Sequence, residues 1–222
     1  MCFSSTASFI AAGVTFAVGV ATLTRVDSLR AAPLAAMPMI FAAQQAIEGA
    51  LWLDLSASAA GGGPPGLSFA FLFFAYVFWP VYVPLAILSL ETAKRFRRLL
   101  LICAATGLGV GAHLFWWMLT HPYGASIQSH HIVYETGYHA SAPIAVAYLA
   151  ATGLPLVLSS HRWVLWLGAL ILTGSVVAFI FYWEAFVSVW CFFAAATSAG
   201  ILAHFQRVRS SRLRFVRRFS LG

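Results

Sequence analysis

The groups in this 222-residue chain that could move protons or hold a metal are six acids, seven histidines and three cysteines. Glu48 stands in Gln44-Gln45-Ala46-Ile47-Glu48-Gly49, with Gln44 four residues and Gln45 three residues before it. On a helix those spacings put all three side chains on one stripe. An acid in an apolar helix faces a bundle interior and finds a partner there, because hydrocarbon cannot solvate it. Such a stripe suits a proton carrier, a metal ligand or a substrate anchor; the plainer reading is a buried hydrogen-bond network. Gln44, Gln45 and Trp52 are the candidates for substrate contact. His113, in Gly111-Ala112-His113-Leu114-Phe115-Trp116, falls at a similar depth. An imidazole bonded to Glu48, or a metal shared with it, would satisfy both groups.

A second constellation is His131-x-x-x-Glu135-x-x-x-His139. If that stretch is helical, its three side chains stack on one face. Two imidazoles and a carboxylate are usual ligands of a catalytic divalent metal such as zinc, and they leave one position open. Bound water, its pKa lowered toward roughly 7, would attack a lipid-like substrate while Glu48 or Glu135 handles the proton. Gly137 works against the helix, and no HExxH spacing is present. The plainer reading is a polar loop with solvated histidines. Cys2 adds a further ligand or nucleophile if Met1 is removed. Cys103 and Cys191 read as small apolar packing residues.

The elements that must position these groups follow from composition. Hydrophobic residues make up 61% of the chain and charged residues 9%, with a mean hydropathy of +0.87. A soluble domain carries roughly 25% charged residues, so lipid must cover most of this surface. Seven apolar segments are each near the length needed to cross hydrocarbon: Ser5–Leu23, Pro33–Leu55, Leu67–Leu90, Leu99–Thr120, His139–Leu158, Trp163–Trp183 and Ala185–Phe205. The expected fold is an all-α bundle of seven transmembrane helices over residues 1–206, with a basic tail over 207–222. The last boundary rests on Tyr182-Trp183-Glu184 alone.

All thirteen Lys and Arg fall in the first, third and fifth connections and the tail. The positive-inside rule then puts the N-terminus outside and the C-terminus in the cytoplasm of an inner-membrane protein. The net charge of +7 reflects this topology rather than nucleic-acid binding, and the arginine-rich tail suits anionic headgroups. Gly107-x-x-x-Gly111 suits close backbone approach. Pro80, Pro84, Pro143 and Pro155 are expected to kink or open their helices.

The opening Met1-Cys2-Phe3-Ser4-Ser5-Thr6-Ala7-Ser8-Phe9 resembles the start of an uncharacterised family of small bacterial multi-pass membrane proteins. So do Gln44–Gly49, Phe74-Ala75-Tyr76-Val77-Phe78-Trp79-Pro80 and Val187-Ser188-Val189-Trp190-Cys191-Phe192-Phe193. The resemblance implies a bacterial source and carries no mechanism. Microbial rhodopsins need a lysine in the last helix, whereas the single lysine here is Lys94; retinal is not expected. Intramembrane zinc hydrolases of the alkaline ceramidase type carry a late HxxxH pair, and the last segment here has only His204. Three readings stand: a metal-dependent hydrolase; a proton-coupled small-solute transporter or sensor using Glu48 and His113; and a structural subunit or haem protein.

Overall fold

The computed structural model describes residues 4–57, 65–128, 131–139, 141–181 and 197–207. These form seven helical rods and one β-hairpin. The rods are α1 (Ser5–Leu23), α2 (Ala32–Ala57), a continuous third rod, α5 (Lys94–Thr120), α6 (Ala142–Val157), α7 (Arg162–Phe181) and a helix over 197–207. The third rod comprises α3 (Pro65–Leu72), a π turn (Phe73–Phe78) and α4 (Trp79–Leu90). Three helices, Ser5–Leu23, Gly66–Leu90 and Lys94–Thr120, are long and apolar enough to cross a membrane. Cys2, Cys191, the turn at Tyr182–Glu184 and the tail beyond Arg207 lie outside the described residues.

Ser4 opens α1 in extended conformation, and its hydroxyl accepts from the Ala7 N–H at 3.2 Å. The helix buries a stripe of small side chains (Ser8, Ala11, Ala12, Thr15, Gly19, Thr22) against α2. Their spacing is that of one helix face, and their size lets the two backbones close up. A Cβ on Gly19 would lie 2.8 Å from the Met39 backbone nitrogen, and one on Gly49 would lie 3.0 Å from the Phe9 ring. These two pairs make α1 and α2 antiparallel and bring Ser8 level with the second half of α2.

The third rod owes its shape to proline chemistry. Trp79 N–H bonds to Phe74 O, five residues back. In that register the next carbonyl, Ala75 O, would need an N–H from residue 80, which is proline and has none. Tyr148 of α6 supplies the donor, its hydroxyl reaching Ala75 O at 2.6 Å. One turn on, Pro84 likewise cannot donate to Pro80 O. That carbonyl faces Gly107 of α5, where a Cβ would sit 1.8 Å from it. The Gly107/Gly111 pair therefore serves a crossing inside the bundle, with Gly111 against Val77.

Two expectations need correction here. His139 and Ser141 are not helical: α6 starts at Ala142, so Pro143 lies in its first turn, where a missing N–H costs nothing. It is a start signal and not a kink. The connection between α5 and α6, open to a helical reading or a polar loop, holds two strands instead. It forms an antiparallel hairpin of β1 (Gly124–Gln128) and β2 (His131–Glu135), with Gly124 opposite Glu135 and Gln128 opposite His131.

The loops at 24–31, 91–93 and 158–161 meet at one end of the bundle, where the described Lys and Arg gather. Ser89 Oγ donates to Arg30 O at 2.7 Å, and Trp163 of α7 stacks on His204 at 3.6 Å. Glu91 ties this end together. Its carboxylate accepts from Thr92 N (3.0 Å), Ala93 N (2.9 Å), Ser160 N (2.7 Å) and Ser160 Oγ (2.8 Å). Burial works to raise its pKa, yet these four bonds outweigh it and hold the carboxyl below its ordinary value. The approaches to α5 and α7 are thus clamped by one side chain. The main apolar core lies in this half, built from Leu34, Phe41, Trp79, Ile87, Leu156, Leu167 and Ile201 among others.

Candidate functional site

The opposite end holds the hairpin and, beneath it, a polar site on α2. The hairpin's inner face carries Ala125 and Ile132, which pack with Leu51, Trp52 and Leu55 of α2. Tyr134 on the same face stacks on Phe71 of α3 at 4.6 Å and 2°. The strands therefore roof the ends of α2 and α3. The exit from β2 is pinned from below: Trp117 Nε1 donates to Thr136 O at 3.1 Å, and Tyr76 of the π turn hydrogen-bonds the Thr136 side chain. Gly137, at φ +59°, gives the chain the left-handed step that follows.

Glu48 is 0% exposed, with Gln44 at 1% and Gln45 at 2%. The stripe expected from their spacing is real and faces inward. Gln45 Nε2 donates to Glu48 Oε2 at 3.2 Å, and Trp79 Nε1 donates to Gln44 Oε1 at 2.7 Å. Phe41 stacks on the Trp79 ring at 4.2 Å. The Trp79 bond fixes α2 against the third rod and sets the π turn level with Glu48. A π turn departs from regular helix at an energetic cost and is frequent at functional sites.

Four buried polar atoms at this end find no hydrogen-bond partner among the described residues: Ser8 Oγ, Gln45 Oε1, Trp52 Nε1 and Ser68 Oγ. Ser8 belongs to α1, Gln45 and Trp52 to α2, and Ser68 to α3, so three helices of this end carry unspent bonding capacity. The contrast along α1 is instructive. Thr15 and Thr22 satisfy themselves on carbonyls four residues back, at 2.7 Å each, whereas Ser8 does not. Each such group costs about 1–3 kcal/mol when buried unpaired. Native proteins keep few of them, and those few call for a ligand or ordered water.

The other expected residues are elsewhere. His113 is exposed on α5 and bonds through Nε2 to the Tyr138 hydroxyl at 3.2 Å. Burial raises the Tyr138 pKa, which keeps that hydroxyl protonated. α5 packs on α4, the π turn and α6, while α2 packs on α1 and the third rod. His113 is therefore partnered by Tyr138, and no bond joins it to Glu48 among the described residues.

The expected helical stacking of His131, Glu135 and His139 does not occur, because residues 131–135 are a strand. Four residues along a strand still share a face, but they stand about 13 Å apart rather than one turn apart. Glu135 is exposed and accepts from Ser126 Oγ at 2.7 Å and Gln128 Nε2 at 3.2 Å; His139 is exposed in the segment before α6. Among the described residues no three of His, Cys, Asp and Glu come together as a metal site.

Ser8 and Ser68 were not singled out by sequence. A lone serine in an apolar helix usually bonds its own preceding turn, and only the packing reveals that these do not.

A family model described as a family of unknown function (DUF6629) matches residues 1–216. No curated protein and no solved structure matches the chain.

Proposed function

The chain belongs to the family of unknown function DUF6629, and we propose that it is a multi-pass membrane protein handling a proton and a small polar solute at Glu48. In this reading it is a proton-coupled transporter or a membrane sensor. The carrying observation is the set of polar groups without a partner among the described residues, Ser8 Oγ, Gln45 Oε1, Trp52 Nε1 and Ser68 Oγ, at the end of the bundle that holds a fully buried carboxylate. An acid at hydrocarbon depth is costly and faces its functional partner. Hydroxyl, amide and indole groups suit a solute with both donors and acceptors. His113, partnered by Tyr138, plays no direct part.

The positive-inside rule supports the orientation. The basic end faces the cytoplasm, seven rods cross an inner membrane, and the hairpin and Glu48 open to the other side. A metal-dependent hydrolase acting on a lipid-like substrate has weaker support, since its expected ligands stand on a strand and a coil.

The test is proton exchange at Glu48. Protein reconstituted in proteoliposomes with an internal pH dye is subjected to a pH step, and Glu48→Gln is compared with wild type. The reading expects proton uptake in wild type that the variant loses. Equal traces would count against it.

A further inference from the structure

At the basic end an open cleft of about 690 Å³ is lined by Leu29, Arg30, Leu85, Leu88, Ser89, Glu91, Thr92 and Arg97. We propose that this cleft binds the phosphodiester headgroup of an anionic phospholipid, with its acyl chain lying along Leu85 and Leu88. The inference is independent of any chemistry at Glu48.

Three observations carry it. The first is charge. Two arginines and one glutamate line the cleft, and the Glu91 carboxylate oxygens are already occupied by four donors. Arg97 is held in place by bonds from Nη1 to Leu88 O (3.1 Å) and Glu91 O (2.8 Å), while remaining exposed. Arg30 is exposed, and its guanidinium has no protein partner among the described residues. A single negative charge fits this balance.

The second is the exposure of apolar residues beside those charges. Leu29 is 92% exposed at the tip of the α1–α2 loop, and Leu85 is 46% exposed. Leu85 lies five residues inside the end of the Gly66–Leu90 span, or about 7.5 Å deeper along the helix. Water at both positions would be unfavourable; a lipid glycerol and chain would cover them. The third is depth: the arginines stand where the span ends, at headgroup level, and the leucines descend from there. Basic pockets between helices at that level suit anionic headgroups. Free phosphate would use the arginines and leave the leucines uncovered, so the occupant is the lipid.

Full-length protein in phosphatidylcholine bilayers, doped with spin-labelled phosphatidylglycerol, reads this directly as the motionally restricted fraction. The tail arginines, replaced by glutamine in the parent, remove their own attraction. In that parent, phosphatidylglycerol should remain preferred over labelled phosphatidylcholine, and Arg30→Gln should lower the preference about fivefold. Leu85→Gln should weaken it as well, and inorganic phosphate should not displace the lipid. Unchanged selectivity in Arg30→Gln, or displacement by inorganic phosphate, would overturn the proposal. Arg30 and Leu85 are exposed, so folding is retained, and an unchanged thermal midpoint checks it.

Discussion

The Tyr148 hydroxyl lies 2.6 Å from the carbonyl oxygen of Ala75, a group that Pro80 leaves without a helical donor. A side chain of α6 thereby completes the backbone of the third rod. Tyr148→Phe should cost about 1–3 kcal/mol, the usual penalty for a buried acceptor stripped of its donor. Pro80→Ala restores an N–H, and so should be less damaging in the Tyr148→Phe background than in wild type. A double-mutant cycle on thermal midpoints in detergent measures this coupling. Strict additivity would show that the two residues act independently.

The glycine pair on α5 gives a contrast within one helix. A Cβ at Gly107 would meet the Pro80 carbonyl oxygen at 1.8 Å and its carbon at 2.6 Å, both backbone atoms. Gly107→Ala should therefore push α5 off α4 and destabilise the protein by about 1–3 kcal/mol. Gly109 has open space around it, so Gly109→Ala should be neutral or slightly stabilising. Comparable losses in both variants would refute the close crossing.

Glu91 sets a pH dependence. Its folded-state pKa lies below the ordinary value of 4.5, because four hydrogen bonds outweigh the effect of burial. A depressed carboxyl pKa contributes stability that is present above the unfolded value and is lost as pH falls through the folded one. Wild type should thus exceed Glu91→Gln in thermal midpoint at neutral pH, and the gap should close on acidification below about 4.5. A gap independent of pH would mean that the carboxylate charge is not what clamps the two loops.

The roof over the site depends on Gly137. Its φ of +59° is unfavourable for a residue with a side chain, though a Cβ there would meet nothing within 4 Å. Gly137→Ala should loosen the hairpin without unfolding the bundle. Hydrogen exchange should quicken in residues 124–128 and 131–135 while α5 stays protected. Uniformly faster exchange would show that the hairpin is not a separable element.

Hydropathy sufficed for the helical rods among the described residues, because apolar length is read without tertiary knowledge. The Gln44/Gln45/Glu48 stripe was also legible, since its spacing and its helix were both evident. Other features required contacts. The β-hairpin was hidden because a four-residue spacing such as His131 to Glu135 shares a face on helix and strand alike. The π turn has no pattern of its own; it emerges where Pro80 denies Ala75 a donor and Tyr148, 73 residues away, provides one. Glu91 belongs to no motif, and its role is visible only with Ser160 placed against it. Ser8 and Ser68 stand out only by what they lack in the packed structure.

The central claim is that Glu48 exchanges a proton in a site that polar solutes can reach. Infrared spectra of the reconstituted protein, taken as the medium is changed from H2O to D2O and titrated, observe the carboxyl directly. A protonated-carboxyl band that shifts in D2O, titrates with pH and is absent in Glu48→Gln is the predicted result. A carboxyl signal from Glu48 that neither exchanges nor titrates would identify it as a sealed structural group and contradict the account.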